Sequence, residues 1–266
     1  QVGALAPTQL AALSATNISA LDATQVGALS TTQVRALTAD QMRGLSTTDI
    51  GELSSTQVGA LATTQVAGLA TTQVGALSTT QIGGLSSTQL GALTTTNLSN
   101  LDATQVGALT TTQVQGLTAT QLRALTTTDF GELSSTQIGA LTATQLGSLS
   151  ATNISDLDAT TVGALSTTQV RGLTTTQVAG LSATDVGELT STQVGALSTT
   201  QLSALTATAA SALDATQVGT LTATQIRSLT TTQLGGLSTT DIGELSSTQI
   251  GSLATTQLAA LNATNV

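Results

Sequence analysis

The sequence has no cysteine, histidine, lysine, tryptophan or tyrosine, and its 266 residues hold one phenylalanine, one methionine and one proline. Each absence removes a class of chemistry. Without thiols or imidazoles there are no thiol nucleophiles, no histidine proton shuttles, no zinc sites and no iron–sulfur or haem ligation through Cys or His. Without aromatic rings there is no platform on which bases or sugars stack. A net charge of −9, from 5 cationic and 14 acidic residues, opposes nucleic-acid binding. No apolar run reaches about 18 residues, so no membrane insertion is expected. No basic stretch followed by an apolar core reads as a leader peptide. Charged residues of any kind make up only 7% of the chain.

What is present is an eight-residue repeat. From Leu5 to Leu261 every eighth residue is Leu, without insertion or deletion. Three places before each Leu stands Val, Ile, Leu, Met or Phe, with Ala210 the exception. One place earlier lies Gln in most octads, otherwise Asn, Asp, Thr161 or Ala209, and before that Thr, except at Asp40. No linker or composition shift breaks the pattern, which predicts one uninterrupted repeat domain over 1–266, about 33 octads.

The spacing selects the fold. A strand needs apolar residues at even intervals, whereas here the intervals alternate between three and five. A continuous helix would rotate the apolar stripe by about 80° per octad and spread it round the cylinder. A heptad coiled coil has the wrong period. A chain of very short helices, one per octad and each with its own start signal, remains. Those signals are present. The residue after Leu is Ser, Thr, Asp or Asn in nearly every octad, with Ala6, Ala62 and Ala70 among the exceptions, and these are favoured N-cap residues. The Gln three places on completes a capping box, as in Ser30-Thr31-Thr32-Gln33, and Leu29 with Val34 forms the flanking apolar staple. Pro7 falls on a first helical position, where its missing N–H does no harm. One Leu and one Val per octad cannot offset the backbone entropy of ordering eight residues, so the units must stack. The expected fold is an all-α solenoid with a core typified by Leu29, Val34, Leu37, Leu109, Val114, Leu165 and Val170. The Gly, Ala or Ser between the apolar positions would allow close approach of successive helices. The alternative, argued from the Thr and Val content, is a narrow β-solenoid.

A longer repeat lies over the octads. Asn17–Ala23, Asn97–Ala103 and Asn153–Ala159 share Asn-x-Ser-x-Leu-Asp-Ala, and Ala209–Ala215 is a decayed copy. The blocks are offset by ten, seven and seven octads, which suggests the single octad as the unit of gain and loss. Each block is followed by an acidic pair: Asp49/Glu52, Asp129/Glu132, Asp185/Glu188 and Asp241/Glu244. These eight are the candidate ligands for calcium, which takes oxygen donors. Two carboxylates fall short of a six- to eight-oxygen cage unless backbone, Gln or Thr oxygens help, and no EF-hand or glycine-rich nonapeptide pattern occurs. No other cofactor is expected. Asp22, Asp102, Asp158 and Asp214 stand at cap positions. Arg35, Arg43, Arg123, Arg171 and Arg227 all occupy the octad place just before that of the Glu residues, which predicts Arg–Glu pairs between neighbouring helices, each of small value if exposed. The triplets starting at Asn17, Asn97 and Asn153 fit the glycosylation sequon, a match that arises readily in a Thr/Asn/Ser-rich repeat.

These features point to a structural object. Carboxylate pairs can hydrolyse glycosides, but four copies without an aromatic platform are the wrong pattern for one active site, so no enzyme is expected. The tract Thr-Thr-Gln-Val-x-x-Leu-Ser/Thr, as at Thr71–Ser78 and Thr111–Thr118, resembles the octapeptide tracts of very large bacterial secreted or cell-surface proteins, including adhesin-like ones. The resemblance implies an extracellular or cell-surface location and a stalk or adhesive role. The expected function is a non-catalytic rod, stalk or self-assembling filament, with other copies or a longer repeat chain as its partner and two or three octads per coil. The alternative is an ice- or surface-binding protein, since Thr recurs at 32 of 33 equivalent places.

Overall fold

The computed structural model describes residues 2–261. Among them, 32 α-helices follow a single 3-10 turn at Val2–Ala4, and no strand forms. The fold is the all-α solenoid, and the β-solenoid alternative is set aside.

Each helix begins as its octad dictates. In Thr31–Ala36 the Ser30 Oγ accepts from the Gln33 backbone N–H at 3.2 Å, and the Gln33 Oε1 accepts from the Ser30 N–H at 2.8 Å. Both partners of the box are met, so two N–H groups that the helix leaves unpaired find acceptors. The helix ends without a left-handed residue, and none of the described residues has positive φ. Leu37 instead donates its N–H to the Val34 carbonyl at 3.2 Å and turns extended, at φ −57° and ψ 133°. The next residue can then serve at once as the following cap, which is why no linker separates the helices.

The chain packs as two compact units, Gln1–Ala140 and Leu141–Val266; the octads run through the division unbroken. Within each unit one stacking rule holds. A helix packs on the third helix before it, as Ser55–Ala60 does on Thr31–Ala36 and Ser191–Ala196 on Thr167–Gly172. Its Gln reaches the carbonyls that end the fourth helix before it. The Gln57 Nε2 donates to the Val26 and Leu29 carbonyls, both at 2.9 Å, beyond Ala23–Gly27; the Gln193 Nε2 donates to those of Val162 and Leu165, at 2.7 and 2.8 Å. The offsets are 31 and 28 residues. One coil therefore takes between three and four octads, not two or three. Two helices cannot enclose an interior, whereas three to four bring their Leu and Val rows together round one axis. Leu109, Leu117, Leu125 and Leu133, from four successive octads, line one small cavity of about 20 Å³ with Leu98 and Val106. Leu29, Val34, Leu37, Leu109, Val114, Leu165 and Val170 are all buried.

Close stacking depends on the small residues between Val and Leu. A Cβ added to Gly116 would overlap the Ser87 carbonyl oxygen on the coil below, and one on Gly84 would lie 2.5 Å from that of Ser55. Backbone meets backbone there, and no flexible side chain can yield.

Two substitutions test this packing. Gln113→Ala removes the donors to the Ile82 and Leu85 carbonyls, both at 2.7 Å, and should destabilise the array by about 1–3 kcal/mol, the cost of buried polar groups left unpaired. Gly116→Ala should cost a similar amount, about 1–3 kcal/mol, through overpacking. Urea denaturation followed by circular dichroism reads both as a lowered midpoint.

Candidate functional site

The places where the repeat departs from its own rule are the acidic steps. Asp49, Asp185 and Asp241 occupy the position of the clasping Gln. Their carboxylates still complete the capping box: the Oδ2 atoms accept from the Ser46, Ser182 and Ser238 backbone N–H groups, each at 2.6 Å. They have no amide to donate. Accordingly, the carbonyls of Leu21, Leu157 and Leu213 on the coil before receive no such bond among the described residues, although the equivalent carbonyls of Leu29 and Leu165 each take a Gln amide. The connection between coils runs the other way. Ser19, Ser155 and Ser211 donate their hydroxyls to the Asp49, Asp185 and Asp241 Oδ2 atoms at 2.8, 2.6 and 3.0 Å. At the fourth step, Asp129 accepts from the Thr126 N–H and the cap is kept, without a bond from Ser99. Phe130, the lone phenylalanine, is buried in that step, and Asp129 and Glu132 border the 20 Å³ cavity.

The glutamates close each step. Glu52, Glu132, Glu188 and Glu244 are half-buried, and the Oε2 atoms of Glu52, Glu188 and Glu244 are out of solvent with no hydrogen-bond partner. Burial, then the charges of Asp129 and Asp102, push the Glu132 carboxyl above its ordinary range. Burial, then Asp241 and Asp214, do the same at Glu244. At these two steps the Glu carboxyl thus feels the Asp of its own helix and the capping Asp of the coil before. Asp158, by contrast, is held below the ordinary value, chiefly by the Thr161 backbone N–H that donates to it at 2.7 Å.

The structure separates several groups that the sequence suggested would meet. No Arg–Glu ion pair forms among the described residues; the ion pair there is Arg43 with Asp40 at 3.4 Å, on the same helix and exposed. The coil offset explains the failure. The first residue after Val faces a residue just over three octads later, as Gly59 faces Gly84, so Arg35 meets Ala60, with which it lines an open groove, and Arg171 is set toward Ala196. All five arginines are exposed. Among the described residues no group of three or more carboxylates is placed to hold a metal ion. Asn97 and Asn153 are buried, and Asn97 donates its Nδ2 to the Leu69 carbonyl at 2.8 Å, so those two sequon side chains lie in the coil interior.

Sequence reasoning missed two roles. It read Gln only as half of a capping box, when its amide also joins coils. It read Ser19 and Ser155 only as sequon residues and Ser211 only as part of the decayed block; their constant distance in sequence from an acidic Asp one coil later was the available signal.

The acidic steps fix a pH response. Because the folded Glu132 and Glu244 carboxyls are raised, their penalty is full above the raised values and vanishes below the ordinary glutamate value. Because Asp158 is lowered, its contribution is present above the ordinary aspartate value and is lost as pH falls through the lowered one. Stability should therefore rise on acidification from neutral pH towards the ordinary glutamate range and fall as pH drops below the ordinary aspartate range. The variant E132Q/E244Q should flatten the upper limb in urea midpoints measured across that range.

The family model of the ALTTAQ repeat matches residues 2–39, 38–71, 66–95 and 154–191. No curated protein matches the chain. The unvarying stacking offset supplies the structural counterpart of those matches: the chain is a tandem repeat protein, similar over these segments to the ALTTAQ repeat.

Proposed function

We propose that this chain is a non-catalytic structural protein that forms a rod, a stalk or a self-assembling filament outside the cell or at its surface. The observation that carries this reading is the Gln clasp. The buried polar side chain that recurs in most octads is engaged by its own helix start and by the preceding coil, through bonds such as those of Gln57, Gln113 and Gln193. The clasp needs only the carbonyls of the coil before it, so the same contact can join coils of one chain or of two copies. Net charge −9 and the lack of aromatic platforms speak against nucleic acid as a partner. No helix among the described residues is long and apolar enough to cross a membrane. The extracellular placement rests on the resemblance to octapeptide tracts of bacterial surface proteins, and the absence of lysine, with five arginines, would limit trypsin-like cleavage there.

A second reading, binding to ice or another crystalline surface, draws on one observation. The Thr of every described octad is exposed, from Thr8 to Thr256, with Asp40 in one place. The coil weakens that reading. Successive threonines turn with the chain round the axis, so any one side carries about one per coil and not a dense plane.

Negative-stain microscopy of the purified protein should show extended particles, as single rods or filaments; compact round particles would overturn the structural reading. A thermal-hysteresis assay at high concentration should show no ice shaping, and clear faceting of ice would favour the second reading.

A further inference from the structure

We propose that the pairs Ser19–Asp49, Ser155–Asp185 and Ser211–Asp241 are register keys, side chains that fix how many octads each coil contains.

The need for such a device follows from the repeat. Octads are nearly interchangeable, since each offers the same Leu, the same apolar partner, the same cap and the same Gln. If one octad looped out, the coil above would settle one octad further back, and its Gln residues would find the same pair of carbonyls waiting. The clasp alone therefore cannot count. An Asp in the Gln place can. Its carboxylate has no proton to give to a carbonyl, and at Asp49, Asp185 and Asp241 it takes its donor from the coil beneath, a serine hydroxyl 30 residues earlier. Shifted by one octad, Asp185 would stand over Gly147 in place of Ser155, and Asp241 over Ser203. Gly147 has no side-chain donor at all. Ser203 already gives its hydroxyl to the Thr200 carbonyl at 3.1 Å. Asp49 and Asp185 are themselves buried, so an unmatched carboxylate there cannot turn to water without opening the coil. The Ser155–Asp185 pairing thus tolerates no offset but its own, since Gly147 and Gly163 lie one octad to either side of Ser155, while the neighbouring Gln clasps accept any whole number of octads.

The Gly180–Ala151 contact offers a direct readout. A Cβ on Gly180 would lie 3.1 Å from that of Ala151 on the coil below, a few tenths of an ångström under the roughly 3.5–4.5 Å a disulfide spans and within what a small shift of the coils supplies. The chain has no cysteine of its own to interfere. The pair A151C/G180C reports the native register, and A143C/G180C reports a coil with one octad looped out. Both are oxidised with the key intact and with the key removed as S155A/D185Q, which restores an ordinary Gln clasp and so keeps the fold. With the key intact, only the 151–180 bond should form. With the key removed, the 143–180 bond should rise by roughly tenfold or more, the loss of one buried pairing's discrimination, while circular dichroism stays helical. An unchanged yield of the 143–180 bond in the key-free variant overturns the proposal, as does an equal yield of both bonds with the key intact. S155A alone, leaving Asp185 without its donor, should lower the urea midpoint, and D185Q should restore it in the double variant; failure of that rescue also counts against the key.

Discussion

Everything in this fold depends on a side chain that bonds in two directions. The glutamine oxygen accepts from the backbone at the start of its own helix, while the nitrogen donates to two carbonyls at the end of a helix one coil below, as at Gln113. Helices this short are unstable in isolation, and an octad has too little apolar surface to compensate. The clasp resolves both problems with one group. It ties local helix initiation to long-range stacking, so neither is complete without the other, and the buried amide leaves no donor or acceptor idle. Leu and Val supply the driving force for burial; the Gln decides which backbone meets which.

Local structure was legible because its signals sit within a single octad. The cap, the box, the staple and Pro7 all lie there, and the helices start where those residues place them. The number of octads per coil was not legible, because it depends on how many helices close round a Leu–Val interior and on how far an amide reaches across several octads of chain. The Arg–Glu expectation failed for the same reason. Arg35 and Glu52 occupy adjacent octad places, but neighbours in a coil are set by an offset of more than three octads, and that brings Arg35 to Ala60. Position within the repeat was read correctly; position round the axis was not in the repeat at all.

The acidic steps show the difference in another form. Asp49 is an acid in the first turn of its helix, where negative charge is favourable, and it caps that helix. Its larger consequence, the reversal of the bond between coils, becomes visible only when Ser19 is seen beneath it. The cost is electrostatic: half-buried glutamates stand beside aspartates with no ion-paired arginine to balance them among the described residues, and two of the four are correspondingly harder to ionise.

The coil length also gives meaning to the spacing of the longer blocks. The clasp onto a Leu carbonyl spans 28 residues, three and a half octads. Two such spans make seven octads, the offset that separates the last three Asn-x-Ser-x-Leu-Asp-Ala blocks, the third of them the decayed copy. Because a coil takes between three and four octads, adding or deleting one octad would swing every later residue to a different azimuth. In the second unit Asp158 and Asp214 stand seven octads apart, about two coils. Genetic lengthening by one octad would carry the negative charge to another side of the coil, so the freedom of the single octad ends at the first acidic step.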